Sequence, residues 1–286
     1  MPALFQALHG DEKSIGKSAV CKGCGQKFVL ENMTGPERSP GGVPIHRLEA
    51  KAAAGKLVAH ATPFLNQISR HIERNIGPVP SVFHEIVSTD VHIDLHVVPA
   101  QPQVAESKER PLGGDYVTIV TSGMSSKAMN VPPNAKEGGV SPYAELMLAL
   151  PKDWPGLNAD GTFDQATMKN EAYWWPFRWL KQMARMPHEY DTFFHSGVTV
   201  PNGDPPKPFA KGTNLCCWMV FRPLLCPKAH QLHINDDVRI DFFTLFALTE
   251  PEINLKLAQG TKALINALAD GEVYTELLDP QRASVV

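Results

Sequence analysis

The sequence predicts an α+β fold. Hydrophobic spacing switches repeatedly between a helical period and a period of two, in the order helix, strands, helix, strands, helix. Three stretches carry the argument: an amphipathic segment near residue 65, an alternating segment from Asp90 to Val97, and a capped apolar stripe that begins at Thr249.

The first helix opens at Thr62-Pro63, an N-cap followed by proline at the first helical position. Phe64, Leu65, Ile68, Ile72 and Ile76 recur at helical spacing until Gly77-Pro78 ends it. A short strand over Val82 to Val87 follows. Then Val91, Ile93, Leu95 and Val97 face one way while Asp90, His92, Asp94 and His96 face the other, the pattern of a half-buried strand. Tyr116 to Thr121 and Tyr143 to Leu150 read as further strands, parted by the Gly/Pro-rich connection Met129 to Pro142, and are expected as neighbours in an antiparallel or mixed sheet. Pro176 is expected in the first turn of a helix reaching about Met186, with Phe177, Leu180 and Ala184 on one face. His195 to Gly212 is a proline-rich, stiff surface loop with few backbone donors. Leu215 to Leu225 and Val238 to Leu248 are apolar strands, and Thr249 with Glu252 forms a capping box for a last helix carrying Ile253, Leu257, Leu264 and Leu268 up to Gly271.

A chain of 286 residues with 43% hydrophobic and 20% charged residues and a net charge of −3 is globular, which excludes general disorder and a chain-wide field for nucleic acid. The start MPALFQALHGDEK lacks the basic and apolar regions of a secretory signal, and no stretch reaches the ~18 apolar residues of a membrane span. A cytoplasmic protein is expected. Five cysteines, an odd number, point to reduced thiols or a metal site instead of a disulfide framework. Residues 1–60, with a Gly/Pro cluster from Gly35 to Gly42 and an Ala/Lys run from Glu49 to Lys56, read as an appended arm before a main domain over 61–286.

Several constellations invite chemistry. Cys21-Lys-Gly-Cys24 can aim two thiolates at one tetrahedral zinc, as half of a structural knuckle; the second half is missing, with His9, His46 and His60 nearest. A redox dithiol and an inert surface pair are the other readings. Gly10 to Ser18 imitates a phosphate loop, but its glycine spacing is too long and no strand precedes it, so it reads as a charged linker. Asp90, His92, Asp94 and His96 project from one strand face, as metal ligands or as a polar face of mutually bonded side chains, and the second reading is favoured. Thr121 to Ser126 offers hydroxyls after a strand without the elbow of a hydrolase, and reads as a turn whose hydroxyls cap the backbone. Tyr173, Trp174, Trp175 and Trp179 cannot all share one narrow buried stripe, which leaves one or two of them for a groove beside Val200 to Phe209. Cys216, Cys217 and Cys226 read as small core residues, and His230 and His233 have no constrained partner.

Four blocks occur in order: HEIVSTDVHIDLHVVPA from His84, YVTIVTSGMSSKAMNVP from Tyr116, SPYAELMLALPKDWP from Ser141, and the stretch from Trp154 to Ala210 with its tryptophan-proline helix, PHEYDT turn and PNGDPP loop. From about residue 60 to residue 286 this arrangement closely resembles the suppressor of fused family. The resemblance implies a two-lobed α+β domain, with mixed or antiparallel sheets flanked by helices and lobes over roughly 61–195 and 196–286. It implies a non-catalytic protein-binding module: animal members sequester a transcription factor whose extended segment is clamped between the lobes, and bacterial members are proposed as immunity proteins that neutralise a polymorphic toxin. The partner is then another protein, toxin or regulator, and neither a membrane nor a nucleic acid. Matched blocks and loop placement put partner contacts at Tyr116, Thr121, Ser122, Met124, Ser125, Tyr143, Glu145, Trp175, Asn202, Asp204 and Phe209, with Cys21 and Cys24 as the candidate zinc ligands. Neither the disordered insertion nor the further C-terminal sequence of the animal proteins is visible here, which argues against a Hedgehog-type role, and the CxxC is an addition to the common pattern. Two other classes stand beside this reading: a metal-dependent hydrolase on the His92/Asp94/His96 face and a zinc-knuckle nucleic-acid binder.

Overall fold

Side chains alternate across a strand, so a strand buried along its whole length must be covered on both faces. That is the case here for Asp94–Val98, Tyr116–Ser122 and nearly all of Tyr143–Pro151 and Arg239–Thr249. The computed structural model describes residues 18–20, 27–29, 37–48, 63–85, 88, 91–107, 110 and 112–286. Its strands are β1 (Ser18–Val20), β2 (Lys27–Val29), β3 (Glu37–Arg38), β4 (Pro44–Ile45), β5 (Ser81–Phe83), β6 (Asp94–Val98), β7 (Tyr116–Ser122), β8 (Tyr143–Pro151), β9 (Thr199–Pro201), β10 (Leu215–Phe221), β11 (Gln231–His233) and β12 (Arg239–Thr249). Its helices are α1 (Leu65–Asn75), α2 (Pro133–Glu137), α3 (Gln165–Met168), α4 (Glu171–Glu189), α5 (Glu250–Gln259) and α6 (Thr261–Asp270).

The main sheet has the order β5-β6-β7-β8-β12-β10-β9, with β11 paired to the start of β12. Every pairing in it is antiparallel except β8 with β12, which run parallel from Tyr143–Ile240 to Met147–Thr244. This pair joins the strands drawn from residues before 195 to those drawn from residues after it.

On one face, Leu95, Ile119, Leu148, Trp218 and Leu245 pack against Trp175, Phe177, Leu180 and Ala184 of α4. On the other, Val98, Val120, Met147 and Phe242 meet Ile68, Ile72 and Ile76 from α1 and the residue that follows it, while Cys217, Met219, Phe246 and Leu248 meet Ile253, Leu264 and Leu268 of α5 and α6. The expected mixed α+β sheet flanked by helices is therefore present. The alternating strand differs from expectation in being buried on both sides, because on its polar face Asp94 bonds to His84 and the Glu85 N–H after β5, His96 bonds to Ser122 of β7, and Val98 packs with α1.

Two helices also differ. Helix α4 starts at Glu171, where the Asn170 side chain accepts the Ala172 N–H, so Pro176 and Pro187 both lie inside it. An interior proline costs about 3 kcal/mol. Each fully buried large apolar side chain contributes about 1.5–3 kcal/mol, and Trp175, Phe177, Leu180 and Met183 together outweigh that cost. The terminal apolar stripe is two helices, broken at Gly260, whose φ of 88° suits glycine. The Thr249/Glu252 capping box is present. Strand β9 emerges from the proline-rich loop as a sheet edge, where Pro201 is tolerated. Among the described residues no helix is long and apolar enough to cross a membrane.

The C-terminal segment ties the two halves together. Leu278 N–H donates to Ala149 O of β8, and the Leu224 and Leu225 N–H groups donate to buried Glu276. Arg282 holds Glu252 with both guanidinium ends, at 2.5 and 2.7 Å. Burial pushes the Glu252 carboxyl up, but Arg282 and the Thr249 and Val285 N–H groups outweigh it and leave the pKa below its ordinary value. Its stabilisation is thus present above the unfolded carboxylate pKa and is lost as pH falls through the lower folded value. Replacing Arg282 with Met leaves a buried unpaired carboxylate and should cost about 3–5 kcal/mol, read as a lower urea midpoint with unchanged slope.

Candidate functional site

The sequence blocks converge on one end of the sheet. The turn after β7, Gly123 to Ser126, wraps the carboxylate of Glu145 at the start of β8. Glu145 is fully buried and accepts four hydrogen bonds: from the Gly123 and Ser125 N–H groups at 3.0 Å each, and from the Ser125 and Thr121 hydroxyls at 2.6 Å each. Thr121 Oγ1 in turn accepts the Leu146 N–H. Gly123, at φ 121°, passes so close to His92 O that a Cβ would sit 1.8 Å from it, which makes glycine obligatory. The expected hydroxyl turn is present, but it caps the backbone only in part: Ser126 donates to Gly123 O and Thr121 accepts the Leu146 N–H, whereas the Thr121 and Ser125 hydroxyls donate to the Glu145 carboxylate of the neighbouring strand.

Beside it, fully buried Asp94 accepts the Glu85 N–H, His92 Nε2 at 2.9 Å and His84 Nδ1 at 3.0 Å. Glu85 binds Lys181 at 2.7 Å, Arg185 and the Ser88 hydroxyl. Burial opposes its ionisation, but Arg185 and Lys181 prevail and bring its pKa down to about 2. His96 pairs through Nε2 with the Ser122 hydroxyl at 2.9 Å, and burial, only partly offset by Asp94, lowers its pKa to about 4. The polar strand face is therefore an internal bonded network and not a solvated surface. Asp94 is committed to two imidazoles and an N–H, and His96 turns to Ser122, so His92, Asp94 and His96 do not converge on a common point. Among the described residues no group of three His, Cys, Asp or Glu side chains is placed to hold a metal ion. Asp90, Cys21 and Cys24, with His9, His60 and Gly10–Lys17, lie outside the described residues.

A second ensemble lies at the other end of α4. Phe209, from the proline-rich loop, stacks on Trp175 at 5.4 Å and Trp218 at 4.9 Å and meets Trp179 edge-on at 4.9 Å. Asn202 braces the loop by donating to Lys207 O and Pro208 O, while its own N–H donates to Cys216 O. The tip, with Asp204, Pro205 and Lys207, is exposed.

Of the residues singled out in the sequence, Thr121, Ser122, Met124, Ser125 and Glu145 are together and closed to solvent, with half-buried Tyr143 close by in β8; Trp175, Asn202, Asp204 and Phe209 form the second group. Met124 O bonds His188 near the end of α4, whereas Trp175 lies near its start, so about 20 Å of helix separates the groups. Tyr116 stands apart at the far end of β7, its hydroxyl on Leu225 O. Sequence reasoning missed the link from Glu85 to α4, although Lys181 and Arg185, four apart on one helix face, are the signal for a shared acceptor. It also missed Trp218 as the third aromatic wall, and the His230 bond to Phe242 O.

The profile of the suppressor of fused protein family matches residues 89–283. The chain belongs to the suppressor of fused family. Among solved structures, a suppressor of fused homologue from Neisseria gonorrhoeae FA 1090 superposes with a TM-score of 0.51 at 14% identity, over 79% of this chain and 98% of that one. A chain of the Sufu–Fu complex gives 0.49 at 13% identity, over 78% and 93%. Drosophila Suppressor of Fused gives 0.49 at 15% identity, over 80% of this chain and 52% of that one. No curated protein matches the sequence. The suppressor of fused match begins at residue 89 and so leaves the N-terminal arm, α1 and β5 outside it.

Burial raises the Glu145 pKa against the pull of its Ser125 and Thr121 donors. Because the folded state then holds the proton more firmly than the unfolded state, this contribution is full below the ordinary carboxylate pKa and is lost as pH rises through the folded value. Glu145→Gln removes that dependence, so the stability gap between wild type and variant, from urea melts, should shrink between pH 5 and pH 8.

Proposed function

We propose that this protein is a non-catalytic protein-binding module that sequesters a partner protein, and that in a bacterial host the partner is a toxin neutralised in the cytoplasm. The family match across residues 89–283 is the observation that carries this reading. The partner segment is gripped where the lobes 61–195 and 196–286 meet, at the proline-rich loop around Asn202 and Asp204 and at half-buried Ser126 and Tyr143 on the sheet end, whose shape the buried Thr121, Ser125 and Glu145 set from within. The exposed loop tip offers side chains held in place by Asn202 below and by the aromatic stack around Phe209. A braced loop loses little entropy on binding, which favours affinity. The terminal strand β9, next to this loop, provides an edge for strand addition. A segment reaching both groups needs at least about six extended residues to cover the ~20 Å between them.

The test is affinity capture from the native host followed by reconstitution with the purified partner. A stoichiometric complex is expected, and Pro206→Ala combined with Lys207→Glu should weaken it about tenfold, while Glu137→Lys, on exposed α2, leaves it unchanged. Reconstitution that fails, or a complex indifferent to the loop, would overturn the assignment. Metal content measured on the same preparation, with and without Cys21→Ser and Cys24→Ser, tests the knuckle as a zinc site.

A further inference from the structure

The hairpin β3–β4 lies outside the family match, yet it is docked on the C-terminal half. Its own turn is fully bonded: Ser39 N–H donates to Val43 O, Gly42 N–H to Ser39 O, and Val43 N–H to the Ser39 hydroxyl. The tip reaches the end of α5, where Gly41 N–H donates to Leu257 O at 2.7 Å, one of the carbonyls a helix end leaves without an internal partner. The approach is closed to any side chain, since a Cβ on Gly41 would lie 2.6 Å from Gly260 N and 2.7 Å from Gln259 N. Six residues on, Arg47 pairs with Asp204 of the proline-rich loop at 2.8 Å and with Glu37 at 3.4 Å.

Between that loop and the start of α5 lies a pocket of about 290 Å³, walled by Pro206, Pro208, Asn214, Thr249 and Pro251, with Cys216 also in its lining. Cys216 is only 2% exposed. Burial, followed by the nearby Glu250 and Glu252 carboxylates, pushes its pKa up to about 11, so the thiol is protonated and slow to react near neutral pH. Helix α5 thus carries the hairpin tip at one end and a wall of the pocket at the other, and Arg47 connects the same hairpin to Asp204, in the loop that supplies the opposite wall.

We propose that residues 37–48 form a strap that holds the proline-rich loop beside α5 and over Cys216, so that release of the N-terminal arm exposes the thiol. The strap gives the arm a mechanical hold on the loop without any contact between the arm and whatever the loop binds. The claim concerns the free chain and stands independently of the partner.

Peptide-resolved maleimide labelling of Cys216 in the full-length protein at neutral pH tests it. Gly41→Val, which forces the tip off the α5 backbone, should raise the labelling rate of Cys216 about tenfold, and Arg47→Glu, which repels Asp204 at an exposed site that does not endanger folding, about threefold. Adding Asp204→Arg to Arg47→Glu restores the opposite charges and should return the rate towards wild type. Cys217 and Cys226, both buried, serve as internal references. Unchanged Cys216 labelling in both single variants would overturn the strap, as would a rise shared equally by Cys217 and Cys226, which marks general unfolding, or a failure of the charge swap to reverse the effect.

Discussion

The parallel pairing of β8 with β12 is the contact on which the rest of the structure depends. Parallel strands need a long crossover, and here that crossover contains α4, the proline-rich loop, β9 and β10. With β8 and β12 at its centre, the sheet is buried on both faces, α4 crosses one of them, and α1 and the α5–α6 pair divide the other. The C-terminal segment then fastens to β8 through Leu278 and to α5 through Arg282, so it reinforces the junction from outside.

A sheet covered on both faces leaves polar strand residues no water, and each must find a partner inside. Asp94, Glu145, Glu252 and Glu276 are all closed to solvent, and each accepts backbone N–H groups from a turn or strand end. Lys256 follows the same rule with reversed charge: buried against β9, it donates to Gly197 O and Thr199 Oγ1, and desolvation lowers its pKa to about 8. These ionisable groups specify where loops leave the sheet, a job apolar packing cannot do because it has no direction.

Much of the fold was legible because periodicity is strong where burial is one-sided. Ile68, Ile72 and Ile76 marked α1, and Thr249 with Glu252 marked the start of α5, since caps and stripes are local signals. The alternating segment around Asp94 misled in one respect: a period of two says that the two faces differ, not that one is wet. Pro176 misled because the first-turn preference for proline is a weak prior that the burial of α4 overrides. Of the candidate site, the hydroxyl turn itself was readable from Thr121 to Ser126, but its carboxylate acceptor Glu145 and the salt bridges from Lys181 and Arg185 to Glu85 depend on register between distant segments. The approach of the helix tryptophans to the loop ending at Phe209 was anticipated, but Trp218 as a further wall was not, because it comes from a strand that no local rule relates to that helix and loop.

The distance along the chain between β8 and its parallel neighbour has a consequence during synthesis. Tyr143 and Ile240 are about 100 residues apart, which ribosomes cover in roughly 5–20 s. Over that interval β7 and β8 can form their antiparallel ladder, yet the apolar outer edge of β8, with Leu146 and Met147 along it, has no strand to bond. The nascent chain therefore passes through a stage with an open hydrophobic edge, and the stiff, proline-rich stretch that emerges in the meantime is poorly suited to pairing with it.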